Sequence, residues 1–145
     1  MKPNIRNELK AQISHDEGRI PYAYQDSLGY WTCGVGFLID HRKGAEIPNQ
    51  VIDYWLDYNI TGLMIDLNVQ IPWWTGLDDV RQMVLVNMAY NMGVDGLMEF
   101  KKMLAALRAG NDNTAADEML NSTWAGQVGD RATRLANMMR TGELP

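Results

Sequence analysis

The sequence predicts an α+β fold: a small N-terminal lobe around a β-hairpin, then a long helix, then a mostly helical C-terminal lobe. Three observations carry this expectation. Apolar residues recur at three- and four-residue steps over most of the chain, which is the helical period. Residues 22–37 break that period, being aromatic and β-branched with turn residues in their middle. The 145 residues, 46% apolar and 21% charged, suffice for one domain with a real core.

Residues 4–14 set Ile5, Leu9 and Ile13 four apart on one face, a short amphipathic helix ending before Gly18. Tyr22-Ala-Tyr24 and Tyr30-Trp-Thr-Cys-Gly-Val-Gly-Phe37 read as strands, with Asp26-Ser-Leu-Gly29 as the turn of an antiparallel hairpin. Residues 40–44 read as polar loop. Over 49–68, Ile52, Trp55-Leu56, Ile60, Leu63-Met64 and Leu67 restore the helical period. Some twenty residues make about 30 Å of helix, enough to join two lobes, and Gly62 is its weak point.

After Ile71-Pro-Trp-Trp74 a helix opens near residues 75–78 and stops at Gly93. Val84-Leu-Val86 and Met88-Ala89 leave it few polar positions, so it reads as the central buried helix. Helices over 97–109 and 115–121 follow, and a last one over 130–140 ends at Gly142. The chain is thus read as one domain, 1–145, with lobes of about 1–70 and 71–145. The first helix is able to pack on the second lobe.

Composition narrows the function. A single cysteine excludes a disulfide framework within the chain, and with two histidines it makes a structural zinc site improbable. No Walker, Rossmann or zincin spacing occurs. No apolar run approaches a membrane span, and the N-terminus has no signal-peptide core. Thirteen Lys/Arg against eighteen Asp/Glu give a net charge of −5, which disfavours nucleic acid as a partner and sits awkwardly with any anionic polymer.

The informative segment is His15-Asp-Glu-Gly-Arg-Ile-Pro-Tyr-Ala-Tyr-Gln-Asp-Ser-Leu-Gly-Tyr-Trp-Thr-Cys-Gly-Val-Gly36. Glu17 follows the end of a helix, Asp26 sits at the hairpin turn and Thr32 lies on the returning strand. A hairpin folded back toward the helix end would bring all three to one cleft. Two carboxyls and a hydroxyl suit glycoside hydrolysis: a protonated carboxyl donates to the leaving oxygen, while a carboxylate and a hydroxyl position water. Each residue alone also has a plain structural reading, as solvated helix end, turn former and strand residue.

In combination the segment resembles the phage-type lysozymes, glycoside hydrolase family 24, and is similar to the T-even phage lysozyme. It matches the family's Glu, eight residues, Asp, five residues, Thr pattern, with Gly-x-Gly after the threonine. Residues 77–93 resemble the family's central helix. Trp124, Gln127, Arg131, Arg134 and Met138-Met-Arg-Thr-Gly142 resemble its C-terminal region. Between the first two blocks this chain is shorter than the T-even enzyme, which implies a trimmed hairpin lobe.

The resemblance implies a lysozyme-like fold and a muramidase that needs no cofactor and no metal. Its substrate would be peptidoglycan glycan strands, cleaved at the β-1,4 bond between N-acetylmuramic acid and N-acetylglucosamine with inversion. Glu17 matches the general acid, Asp26 the second carboxylate and Thr32 the residue that helps place water. Arg131 matches an arginine paired with the acid. Leu38 and Tyr90 match a hydrophobic and an aromatic substrate-cleft position, Asn91 falls where the T-even enzyme has a glutamine, and Trp124 and Gln127 of the C-terminal block join them as substrate-binding candidates. Met103 and Glu118 depart from the small or amide residues of the family, and Phe37 from a common histidine. The same resemblance implies a monomer, made in the host cytoplasm and released to the wall with help from a holin, or alternatively carried by the virion. A lytic transglycosylase on the same fold and a non-catalytic wall-binding module are the alternatives.

The remaining residues have ordinary readings. Trp55, Trp73 and Trp74 are expected to pack in the core or lobe junction, and the ten methionines to fill the core. Cys33 should point away from Thr32 and be buried. His15 reads as a surface residue, and His41-Arg-Lys43 as a solvated basic loop. By region the net charge divides into 0 for 1–30, −3 for 31–72 and −2 for 73–145. Arg131 and Arg134 can therefore face a cleft while Asp53, Asp57 and Asp66 face solvent.

Overall fold

The computed structural model describes residues 3–38 and 47–145, with backbone alone for 4–6, 8–10 and 37–38. Helix α1 (Pro3–Glu17) precedes strands β1 (Ile20–Gln25), β2 (Trp31–Gly34) and β3 (Phe37–Leu38). Then come α2 (Asn49–Gln70), a 3-10 turn (Pro72–Gly76), α3 (Asp79–Met98), α4 (Lys101–Arg108), α5 (Asp112–Leu120), α6 (Thr123–Val128) and α7 (Asp130–Thr141). This is the α+β arrangement expected. The expected loops over 40–44 and at His41 lie outside the described residues. Packing divides the chain into two units, Met1–Asp53 and Tyr54–Pro145.

In the first unit α1 runs to Glu17, three residues beyond the predicted end. The sheet is antiparallel in the order β1-β2-β3. Tyr24 lies opposite Thr32 and Gln25 opposite Trp31, with an irregularity between Ile20 and Tyr24. Thr32 in turn faces Leu38, and Cys33 faces Phe37. The expected second strand through Phe37 is therefore two strands, because the chain reverses at Gly34–Gly36, where both glycines have positive φ. Cys33 does fall on the face opposite Thr32, but it is half-buried rather than buried.

The second unit carries the apolar core. Central helix α3 buries Val84, Leu85, Met88, Ala89 and Leu97. Helix α4 buries Met103, Leu104, Ala106 and Leu107, and α7 buries Ala132, Leu135, Ala136, Met138 and Met139. These are i, i+3, i+4 stripes, and α5 packs against both helices through Ala115, Ala116 and Met119. The buried methionines fill core positions as expected. Trp74 is buried and its Nε1 donates to Asn68 Oδ1 at 2.7 Å, while Trp73 packs half-buried beside it.

Four local expectations change. Gly62 does not interrupt α2. Trp55 is 52% exposed, because the core reaches α2 only at Leu63 and Leu67. The backbone does leave the helical conformation at Gly93 (φ 78, ψ 161), as expected, but α3 resumes beyond it to Met98, so the next helix begins at Lys101 and not at residue 97. Helix α6 was not anticipated: six residues are too few to display a period, and its start is fixed by a cap, Ser122 Oγ accepting from the Ala125 amide at 3.1 Å.

Asp78 caps α3 in the same way. Its Oδ1 accepts from the Arg81 amide at 3.0 Å and its Oδ2 pairs with Arg81 Nη1 at 2.7 Å. Partial burial pushes its carboxyl up, but the hydrogen bonds and charge of Arg81 outweigh that and hold it below its ordinary value of 3.8. A carboxyl held lower in the folded than in the unfolded state stabilises above the unfolded value, and the stabilisation fades as pH falls through the folded one. Melting temperature should therefore drop below about pH 4 more steeply in wild type than in Asp78→Asn, whose amide still caps. Parallel melting curves against pH would exclude Asp78 as a source of acid sensitivity.

Candidate active site

Glu17 is the last residue of α1 and is exposed. The turn between β2 and β3 passes against it: a Cβ built on Gly36 would lie 3.5 Å from Glu17 Oε2. Helix end and sheet are thus brought together, as the hairpin reading required. Asp26 lies in the β1–β2 turn, where its Oδ1 accepts from the amides of Leu28 and Tyr30, both at 2.9 Å. Its own amide donates to the Tyr30 carbonyl at 2.9 Å, and the Gly29 amide donates to the Asp26 carbonyl at 2.9 Å. The turn-former reading of Asp26 is therefore correct, and two main-chain donors fix one of its carboxylate oxygens. An amide at 26 would keep the turn and lose the charge.

Thr32 is 4% exposed, and its Oγ1 donates to the Tyr30 carbonyl at 3.2 Å. Strand alternation sets Tyr24 and Thr32 on one face, and the Asp26–Tyr30 pairing continues that face toward the turn. Trp31, Gln25 and Cys33 take the other. Tyr30 links the two polar side chains, since its amide donates to Asp26 and its carbonyl accepts from Thr32. Leu38 lies opposite Thr32 in the ladder, and its side chain is outside the described residues.

The other predicted binding residues belong to the second unit. Asn91 Oδ1 accepts from Trp124 Nε1 at 2.8 Å, so these two positions act as a pair. Trp124 is buried and meets Phe100 edge-on, with ring centroids 6.0 Å apart and planes at 87°. Its exposed edge lines a pocket with Lys101, Lys102, Met103 and Glu118. Met103 and Glu118 stand together there, in the place where the family pattern is broken. Tyr90 is 48% exposed and lines a different pocket, together with Asn87, Gln82 and Arg131. Gln127 is exposed on α6 and lines neither.

Asn87 was not singled out from sequence. Its Oδ1 accepts from Arg131 Nε at 3.0 Å and Nη2 at 2.7 Å, and its carbonyl accepts from Nη2 at 3.1 Å. One edge of the guanidinium is thus locked to α3. The available signal was an amide set between Val86 and Met88 in the most apolar stretch of the helix. Among the described residues no group of three His, Cys, Asp or Glu side chains is arranged to hold a metal, and no helix is long and apolar enough to cross a membrane.

Comparison with known proteins identifies the family. The phage lysozyme family model matches residues 14–140. Probable T4-type lysozyme 1 of Dictyostelium discoideum is 27% identical over 164 aligned positions, covering 95% of this chain and 96% of that protein. Probable T4-type lysozyme 2 of the same organism is 26% identical with the same coverage. The pre-baseplate central spike protein Gp5 of Enterobacteria phage T4 is 32% identical over 98% of this chain, which spans 29% of the spike protein. A family match over nearly the whole chain, with Glu17, Asp26 and Thr32 inside it, means that the chain belongs to the phage lysozyme family.

Proposed function

We propose that the protein is an endo-acting muramidase that hydrolyses the β-1,4 bond between N-acetylmuramic acid and N-acetylglucosamine, with inversion, and so lyses bacterial walls. Family membership supports the coarser part, a lysozyme acting on peptidoglycan as a glycoside hydrolase. The finer part rests on one observation: a single small unit holds an exposed carboxyl at a helix end against a sheet whose turn fixes a second carboxylate beside a buried hydroxyl.

Glu17 donates a proton to the leaving glycosidic oxygen. Asp26 and Thr32 hold the water that attacks the opposite face of the anomeric carbon, and Asp26 accepts its proton. Hydrolysis adds one water across the bond and leaves a reducing sugar. In the helical unit Tyr90 offers a ring face, Arg131 a guanidinium aimed by Asn87, and Trp124 with Asn91 a rigid wall. Leu38 in the first unit and Gln127 in the second are further sugar-binding candidates. The enzyme works as a monomer without cofactor, reaching the wall from the host cytoplasm through a holin. Likeness to the phage T4 spike protein supports carriage by the virion as the second route.

Mass spectrometry and proton NMR of digested sacculi test the proposal. Muropeptides with reducing ends, first released as the inverted anomer, are expected. Anhydro products one water lighter would make it a lytic transglycosylase, and wall pelleting without soluble products would make it a binding module.

A further inference from the structure

The turn that reverses the sheet beside Glu17 contains two glycines, and one of them has a second constraint. Gly36 has φ +68, in the left-handed region that side chains rarely adopt. That alone explains a glycine as turn chemistry. Gly18, Gly29 and Gly110 have comparable φ values of +77, +79 and +77, and a Cβ built on any of them meets nothing within 4 Å. A Cβ on Gly36 meets one atom, Glu17 Oε2, at 3.5 Å. The contact is ordinary in length, so sterics do not forbid it. What it would take away is the water, or the substrate oxygen, on that side of the carboxyl.

From this we infer that Gly36 is a positioning residue for Glu17: its missing side chain keeps one face of the carboxyl open to solvent and to the oxygen it must protonate. The inference rests on the reading of Glu17 as the acid. Two consequences follow from a methyl group at that point. An approach of about 2.6–3.2 Å, which proton transfer needs, is obstructed from that side. The carboxylate also loses hydration, and because desolvation disfavours the charged form, the pH at which Glu17 ionises rises. Activity that requires protonated Glu17 should then persist to higher pH while its maximum falls.

The test uses the full chain with soluble glycan strands as substrate. Gly36→Ala is expected to lower kcat about tenfold or more with KM within twofold, and to move the alkaline limb of the kcat/KM profile upward by roughly half a pH unit or more. Gly110→Ala carries the same left-handed penalty far along the chain and is expected to leave rate and limb unchanged. Gly36→Asn repeats the measurement with a residue that tolerates positive φ, in case the alanine variant does not fold. Carbon-13 NMR titration of the Glu17 carboxyl gives the ionisation directly. If both Gly36 variants keep the wild-type limb and titration, Gly36 is a turn residue and nothing more. If Glu17→Gln keeps full activity, the acid assignment fails and this inference falls with it. An inactive Glu17→Gln beside normal Gly36 variants would sink the inference alone.

Discussion

Glu17→Gln should lose about 10²–10⁴-fold in rate on peptidoglycan, the usual contribution of a positioned general acid, while the protein stays folded. The amide is nearly isosteric but has no transferable proton. The position lends itself to a clean separation of activity from stability. Glu17 is exposed at the C-terminal end of α1, next to Asp16, where the partial negative charge of the helix end opposes a carboxylate. Removing its charge should therefore leave the melting temperature unchanged or raise it slightly, and binding to purified walls should survive. A variant that clears walls at the wild-type rate would remove Glu17 from catalysis. Asp26→Asn is the companion: its Oδ1 can still accept from Leu28 and Tyr30, so loss of activity there reports the charge and not the turn.

The largest stability effect is expected at Arg81. Its side chain is only 14% exposed. Nη1 pairs with Asp78 at 2.7 Å and Nη2 with Asp112 at 2.8 Å. Nε donates to the Met139 carbonyl at 2.9 Å and Nη2 to the Arg140 carbonyl at 3.1 Å. One guanidinium thus joins the starts of α3 and α5 and supplies donors to the last turn of α7. Arg81→Ala leaves two helix-end carbonyls and two carboxylates without this partner, and should destabilise the helical unit by about 2–4 kcal/mol in urea unfolding followed by tryptophan fluorescence. Arg81→Lys should recover little, because an ammonium on a flexible stem cannot meet all four groups at once. A loss no greater than about 0.5 kcal/mol for the alanine variant would mean that solvent serves these groups equally well. The same side chain explains Gly142: at φ +71 it closes α7, and a Cβ there would stand 2.5 Å from Arg81 Nη1.

The helix-end and hairpin segment that carries the candidate site, and the long helices, were legible in the sequence, for different reasons. Glu17, Asp26 and Thr32 stood out because a helix end, a turn and the strand that returns from it are all marked by the local pattern. α7 and the middle of α3 stood out because a buried stripe repeats at helical steps. What was not legible depended on single hydrogen bonds or on tertiary reach. Helix α6 is set by the Ser122 cap, and the third strand by backbone reversal at Gly34–Gly36. Trp55 obeys the same period as Leu67 yet is half exposed, because periodicity states which face is apolar and not how far the core extends along it. Asn87 shows in the sequence only as an amide among apolar neighbours, and its partner is fixed when Arg131, 44 residues later in the chain, is folded onto it.

The Arg81 clamp has a consequence for the order in which the chain acquires structure. Its carbonyl acceptors on α7 lie 58 and 59 residues downstream. Closing a flexible loop of that size costs about 3–4 kcal/mol of chain entropy, which the other helix contacts must largely meet first. During synthesis from the N-terminus, α3 therefore emerges with its arginine unsatisfied on the α7 side. That end of the helical unit can be completed only after residue 140 has left the ribosome. Until then the nascent chain can hold its hairpin and central helix without having closed the unit that α7 completes.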